Sequence, residues 1–193
     1  MKACLIIGNG PSANDVPVHD LASMPSYGMN FCKLQPMYYV CVDSRVLTEF
    51  PHLIRPLVEG AEIAYLSAKH AGGTRPGHIG NLYDLPNVQL VWRDHGSFAA
   101  ERYMSGMTAT YVCLKLAYYA GFTEVHLWGV DHSEDWAHYR EDYPQDQAAT
   151  RRERMKLMEW HYQLCMNVYA RAGRSIVNHS APSKLDMIFR RAA

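Results

Sequence analysis

An apolar run, Ala3-Cys4-Leu5-Ile6-Ile7, leads directly into Gly8-Asn9-Gly10-Pro11-Ser12 near the start of the chain. An unbroken apolar run reads as a strand buried on both faces, the pattern of a parallel sheet. Pro11 suits the first position of a helix, where its missing N–H would be unpaired anyway. A strand that ends in two glycines and then starts a helix presents bare backbone N–H groups at the helix N-terminus. Such a terminus is an anion site, usually for phosphate. The motif therefore predicts both a sheet architecture and the place where a ligand is gripped.

The rest of the chain alternates in the same way. Strands are expected near 3–7, 26–30, 38–43, 61–66, 88–92, 124–130 and 174–178. Two helices stand out between them. One covers 107–120 and stops at Gly121; the other covers about 151–172 and stops at Gly173, both glycines suiting the left-handed position after a helix. Leu157, His161, Leu164 and Val168 give the second helix its inner stripe, with His161 read as a core histidine. A short helix is expected after Ser183. Alternating strands and helices predict an α/β fold: a doubly wound, mostly parallel sheet of about seven strands with helices on both faces. Residues 1–193 read as one domain, with possible lid loops at 67–86 and 131–147.

Bulk composition excludes several classes. Nineteen basic and nineteen acidic residues cancel, so nothing global favours a nucleic-acid or membrane surface. Lys2 is followed by only five apolar residues before the glycines, which does not read as a secretory signal. Five cysteines, without any CxxC, read as reduced thiols of a cytoplasmic protein.

Ligands of such sheets bind outside the carboxyl ends of the strands. Gly8-x-Gly10-x-x-Ala13 formally fits a dinucleotide loop, but the second strand ends in Asn30 where an acidic ribose ligand is expected. There is no Walker lysine, which excludes a P-loop. Residues 131–143 follow the strongest strand and hold Asp131, His132, Ser133, His138, Tyr139 and further charges. Histidine titrates near neutrality and can take a proton from an attacking hydroxyl. A tyrosine hydroxyl can stabilise a departing phosphate. Zinc at His132 and His138 matches no familiar ligand spacing. Asn178-His179-Ser180 after the last strand reads either as part of the site or as a turn and cap.

These residues carry a resemblance. Gly8-Asn9-Gly10-Pro11-Ser12, then Asn30, then Asp43, then Ser105-Gly106 opening a helix, resemble the bacterial CMP-sialic-acid-dependent sialyltransferases of Campylobacter. The segments Ala120–Asp131 and Asn178–Leu185 are similar to later parts of the same family. The skeleton is shared with the broader MptE-like group, which includes archaeal 6-hydroxymethylpterin pyrophosphokinases. The resemblance implies a nucleotide-dependent transferase, foremost a glycosyltransferase using a CMP-sugar-like donor. It assigns Gly8, Asn9, Gly10, Pro11, Ser12, Asn30, Asp43, Ser105 and Gly106 to the nucleotide, and Arg102, Asp131, His138 and Tyr139 to the transfer step. His138 is the expected base. Two positions depart from the family: Asp43 replaces an asparagine, and Ser133 replaces a phosphate-gripping tyrosine. Asp43 offers a site for Mg²⁺ and opens the alternative of pyrophosphoryl transfer. A catalytically silent nucleotide-binding module is the third reading. Self-association is also expected by likeness to the family.

Overall fold

The computed structural model describes residues 2–70, 81–92, 98, 108–132, 148–180 and 183–191, with the backbone alone at 70, 148–152 and 191. The strands are β1 (Ala3–Ile7), β2 (Ser26–Met29), β3 (Tyr38–Cys41), β4 (Ile63–Ser67), β5 (Val88–Val91), β6 (Glu124–Trp128), β7 (Ser175–Asn178) and β8 (Arg190–Arg191). They form one sheet in the order β5-β4-β3-β2-β1-β6-β7-β8. Every pairing in it is parallel. The first seven are the strands expected from the sequence. The eighth is a two-residue addition at the edge, made of arginines that carry no apolar signal.

The helices are α1 (Val18–Ser23), α2 (Ser44–Glu49), α3 (Pro51–Gly60), α4 (Ala109–Tyr119) and α5 (Ala148–Arg171). Pairing fixes which side chains share a face. Cys4 and Ile6 of β1, Tyr27 and Met29 of β2, and Val125 and Leu127 of β6 pack under α4 and α5. Leu5 and Ile7 turn the other way, toward Ala13 and Val16, while Tyr39, Cys41, Ala64 and Leu66 meet α2 and α3. Residues buried alternately on both faces are what continuous apolar strands require. Among the described residues, no helix is long and apolar enough to cross a membrane.

The long helix buries a stripe only partly the one expected: His161 is buried and Val168 packs against the core, but the centre lies one position further on. Met155, Met158, Tyr162, Cys165 and Tyr169 of α5 are buried, whereas Leu157 is 42 % exposed. Two tyrosines of this stripe also make hydrogen bonds with residues of α4 and its cap. The Tyr169 hydroxyl donates to the Leu114 carbonyl at 2.6 Å, and Tyr162 Oη lies 3.2 Å from Thr108 Oγ1. His161 is the core histidine expected: its Nδ1 lies 2.7 Å from the Leu157 carbonyl and its ring sits edge-on to Tyr111 and Trp160.

Other boundaries moved for local reasons. β6 stops at Trp128 because Gly129 takes φ +68°, a left-handed conformation that ends the ladder. The segment after Ser183 is a 3₁₀ turn, Lys184–Met187, closed by a capping box between Ser183 and Asp186. Of the expected loop 67–86, Ala68–His70 and Leu82–Asp84 are 3₁₀ turns; 71–80 lie outside the described residues.

The shifted stripe predicts opposite outcomes for neighbouring residues. Met158→Ala should lower stability by about 2–4 kcal/mol through cavity formation. Leu157→Ala should stay within about 0.5 kcal/mol. Urea unfolding of the two variants measures both.

Candidate functional site

Strand order places the site. From β1 the chain steps outward to β5, then crosses back to β6 on the other side of β1. The reversal between β1 and β6 is the switch point, and the crevice outside their carboxyl ends is where this class of fold binds ligands. Gly8–Ser12 leave β1 there, and Gly129–His132 leave β6.

The two segments are fastened to each other. Gly8 N–H donates to the Trp128 carbonyl at 2.7 Å, and Gly10 N–H to the Gly129 carbonyl at 2.8 Å. Gly129 N–H donates to Ser12 Oγ at 2.9 Å, and Ser12 N–H to Asp131 Oδ2 at 3.3 Å. Ala13 N–H bonds the Gly10 carbonyl at 3.0 Å. Pro11 has no N–H to offer. The segment that follows is a single 3₁₀ turn, Pro11–Asp15, with no side-chain cap. This corrects the picture of a bare amide cradle at a helix N-terminus: most of those amides are consumed in holding β1 to β6, and the short turn has little dipole.

The glycines are explained by this closeness. A Cβ on Gly8 would lie 2.3 Å from the Gly129 carbonyl oxygen, and one on Gly10 would lie 1.7 Å from Asp131 Oδ2. A Cβ on Gly129 would meet that of Ala13 at 2.7 Å.

What remains for a ligand is side-chain oxygen. Asn9 and Asp131 are 8 % and 9 % exposed, yet Asn9 Oδ1 and Asp131 Oδ1 have no hydrogen-bond partner among the described residues. An enclosed acceptor without a donor costs about 1–3 kcal/mol. Two of them at a switch point ask for a partner rich in donors, such as ribose hydroxyls or an amine, or for a cation.

The other expected residues fall along the same edge. Asn30 follows β2 with φ 49°, and its carbonyl accepts the Tyr39 hydroxyl at 2.6 Å. Asp43 follows β3 as the N-cap of α2, its Oδ1 accepting from Arg45 N–H at 2.8 Å. One carboxylate oxygen of the expected Mg²⁺ ligand is thus engaged in capping. Among the described residues no group of three or more His, Cys, Asp or Glu is arranged for a metal. Ser105, Gly106 and Arg102, preceding α4, lie outside the described residues, as do His138 and Tyr139.

Two residues at the crevice take bracing roles that the sequence left open. His132 adopts φ 45°, an uncommon conformation for a non-glycine residue. Its ring is buried: Nε2 lies 3.1 Å from Glu159 Oε1 of α5, and Tyr162 meets it edge-on. Burial pushes the His132 pKa below its ordinary value, against the opposing pull of Glu159. The His132–Glu159 contact ties the exit of β6 to α5. Ser180 is the other: its Oγ accepts Val130 N–H at 3.1 Å. Asn178, fully buried, donates to Ser183 Oγ and Asp186 Oδ1 and accepts from Ser180 N–H. The segment after β7 therefore braces the crevice from behind.

Comparison with family models and with curated proteins gives no match. Comparison with solved structures does. The chain is similar to the sialyltransferase CstII from Campylobacter jejuni in complex with a substrate analogue, CMP-3FNeuAc, with a TM-score of 0.59 and 16 % identity, covering 100 % of this chain and 87 % of the other. A sialyltransferase CST-II structure in complex with trisaccharide acceptor and CMP gives 0.59 and 14 %, covering 100 % and 86 %. CstII with cytidine-5'-monophosphate gives 0.54 and 13 %, covering 100 % and 86 %. The likeness establishes the sialyltransferase-like fold over the whole chain.

The Gly10–Asp131 contact makes a direct prediction. Gly10→Ala should lower stability by about 1–3 kcal/mol. Adding Asp131→Ala should recover part of that loss, because the displaced carboxylate is gone. A double-mutant cycle by chemical denaturation reads the coupling; strictly additive effects would contradict the contact.

Proposed function

We propose that this chain is a nucleotide-dependent transferase whose donor is a CMP-sugar or a close relative. The observation that carries the reading is the pair of enclosed oxygens on Asn9 and Asp131 at the switch point, unpartnered among the described residues. They occur in a chain whose fold matches transferases solved with CMP and a CMP-sugar analogue. Ribose and base supply N–H and O–H donors, which suit acceptor-only oxygens better than a free phosphate does.

In this reading Gly8, Gly10 and Pro11 shape the floor of the crevice, and Asn9, Ser12, Asn30 and Asp43 line the nucleoside end. Ser105 and Gly106, which precede α4 in the chain, are assigned to the phosphate, with Arg102 adding positive charge. Transfer is a displacement at the anomeric carbon. The acceptor oxygen forms the new bond, the bond to the CMP phosphate oxygen breaks, and CMP leaves with the electron pair. His138 takes the acceptor's proton. Tyr139 and Arg102 stabilise the charge developing on the phosphate. Asp131 orients the nucleotide. Five free, buried cysteines support placement in a reducing cytoplasm.

A thermal-shift series with CMP, CDP, UDP, GDP and ATP, each with and without Mg²⁺, tests this. CMP at a hundred times its Kd should add about 2.7 kcal/mol, independent of Mg²⁺, and Asp131→Asn should weaken the effect. His138→Ala should abolish turnover while leaving CMP binding within a few-fold. Stabilisation confined to ATP with Mg²⁺ would mark pyrophosphoryl transfer instead. Binding without turnover would mark a silent module, and no stabilisation by any nucleotide would overturn the reading.

A further inference from the structure

A second titratable cluster lies on the face of β6 and β7 opposite α4 and α5. Residues of β6 alternate, and His126 and Trp128 pair in register with Leu5 and Ile7, so Glu124, His126 and Trp128 share that face. Ser175 and Val177 of β7 stand beside Glu124 and His126. His126 Nε2 lies 3.1 Å from Glu124 Oε1, and the Ser175 hydroxyl donates to Glu124 Oε2 at 3.1 Å. On its other side, His126 Nδ1 lies 2.7 Å from His179 Nε2. The His179 ring stacks on Trp128, 4.7 Å between centroids and 13° from parallel. The remaining charge facing His179 is Asp20 of α1, itself paired with His19 at 3.1 Å.

This geometry limits the protons the cluster can hold. A ring nitrogen facing a carboxylate is the donor, so His126 carries a hydrogen on Nε2. Between Nδ1 of His126 and Nε2 of His179 only one hydrogen fits. Either His179 donates it to a neutral His126, or a charged His126 donates it to a neutral His179. In both arrangements at most one of the two rings is charged. A second proton would set two N–H groups of like charge face to face and break the contact. Burial and the neighbouring His126 push the His179 pKa below its ordinary value, while Asp20 and Glu124 pull it up.

The pair also touches the crevice. His179 N–H donates to the Leu127 carbonyl at 2.9 Å, and the next residue, Ser180, accepts Val130 N–H at 3.1 Å. Val130 precedes Asp131. We propose that Glu124, His126 and His179 form an acid-sensitive clasp between β6 and β7, closed while at most one of its two rings is charged and opened when both are, which loosens the Ser180–Val130 brace behind the crevice. The proposal does not depend on what the crevice binds.

The sign follows from linkage. A histidine whose folded pKa lies below its unfolded value near 6.5 binds protons more readily in the unfolded chain. Stability from the closed pair is therefore complete above that value and is lost as pH falls through the window beneath it. Side-chain ¹⁵N NMR of the whole protein tests the limit on charge. His179 should stay neutral below about pH 6.5, with the amides of Val130, Asp131 and Ser180 moving as both rings become charged. His179→Gln keeps Asp131 and His132, and should abolish that amide response; His126→Gln serves as the second variant. Wild type should melt about 2–4 °C above His179→Gln at neutral pH, and the gap should close on acidification. Two rings titrating independently at ordinary values, or melting curves that stay parallel with pH, would overturn the clasp.

Discussion

Backbone contact between the end of β1 and the end of β6 is the constraint on which the rest depends. The two segments approach so closely that Gly8, Gly10 and Gly129 admit no side chain. Their carbonyls and amides bind one another and the Ser12 hydroxyl. This welds the sheet at the point where its strand order reverses. It also decides the chemistry left over. Once the amides are engaged, the crevice offers a ligand the oxygens of Asn9 and Asp131, and recognition shifts from phosphate toward groups that donate hydrogen bonds.

The surroundings hold that arrangement from three sides. His132, in its left-handed conformation, ties the exit of β6 to Glu159 on α5. Thr108 caps α4 through the Tyr111 amide and meets Tyr162 on α5, so the helices that cover one face share polar contacts near the crevice. Ser180, after β7, holds Val130 from behind. Each hydrogen bond of this kind contributes about 1 kcal/mol, and none would position Asp131 alone. Within that frame Asp131 sets Oδ2 against Gly10 and the Ser12 amide, with Oδ1 enclosed.

Much of this was legible in the sequence and some was not, for physical reasons. Continuous apolar runs such as Tyr38–Val42 announce strands buried on both faces, so the seven-stranded parallel sheet and its carboxyl edge could be read directly. Gly121 and Gly173, both at positive φ, mark the helix ends as expected. The glycine loop was located correctly but its amides were not, because whether an N–H is free depends on a partner more than a hundred residues away. The stripe of α5 is legible at His161 and Val168 but not at its centre, where methionine, tyrosine and cysteine rather than leucine fill the core. The role of His132 depends on Glu159, and no periodic signal links a strand exit to a position in the middle of a helix. The His126–His179 contact likewise joins two strands whose pairing is a property of the sheet alone.

The central claim is that the β1–β6 crevice holds a nucleotide through Asn9 and Asp131. A crystal structure of this chain soaked with CMP addresses it most directly. Density for the nucleotide is expected at the carboxyl edge between β1 and β6, with donor groups of ribose or base within hydrogen-bond distance of Asn9 Oδ1 and Asp131 Oδ1. Nucleotide bound elsewhere, or bound in that crevice with both oxygens still unpartnered, would contradict it.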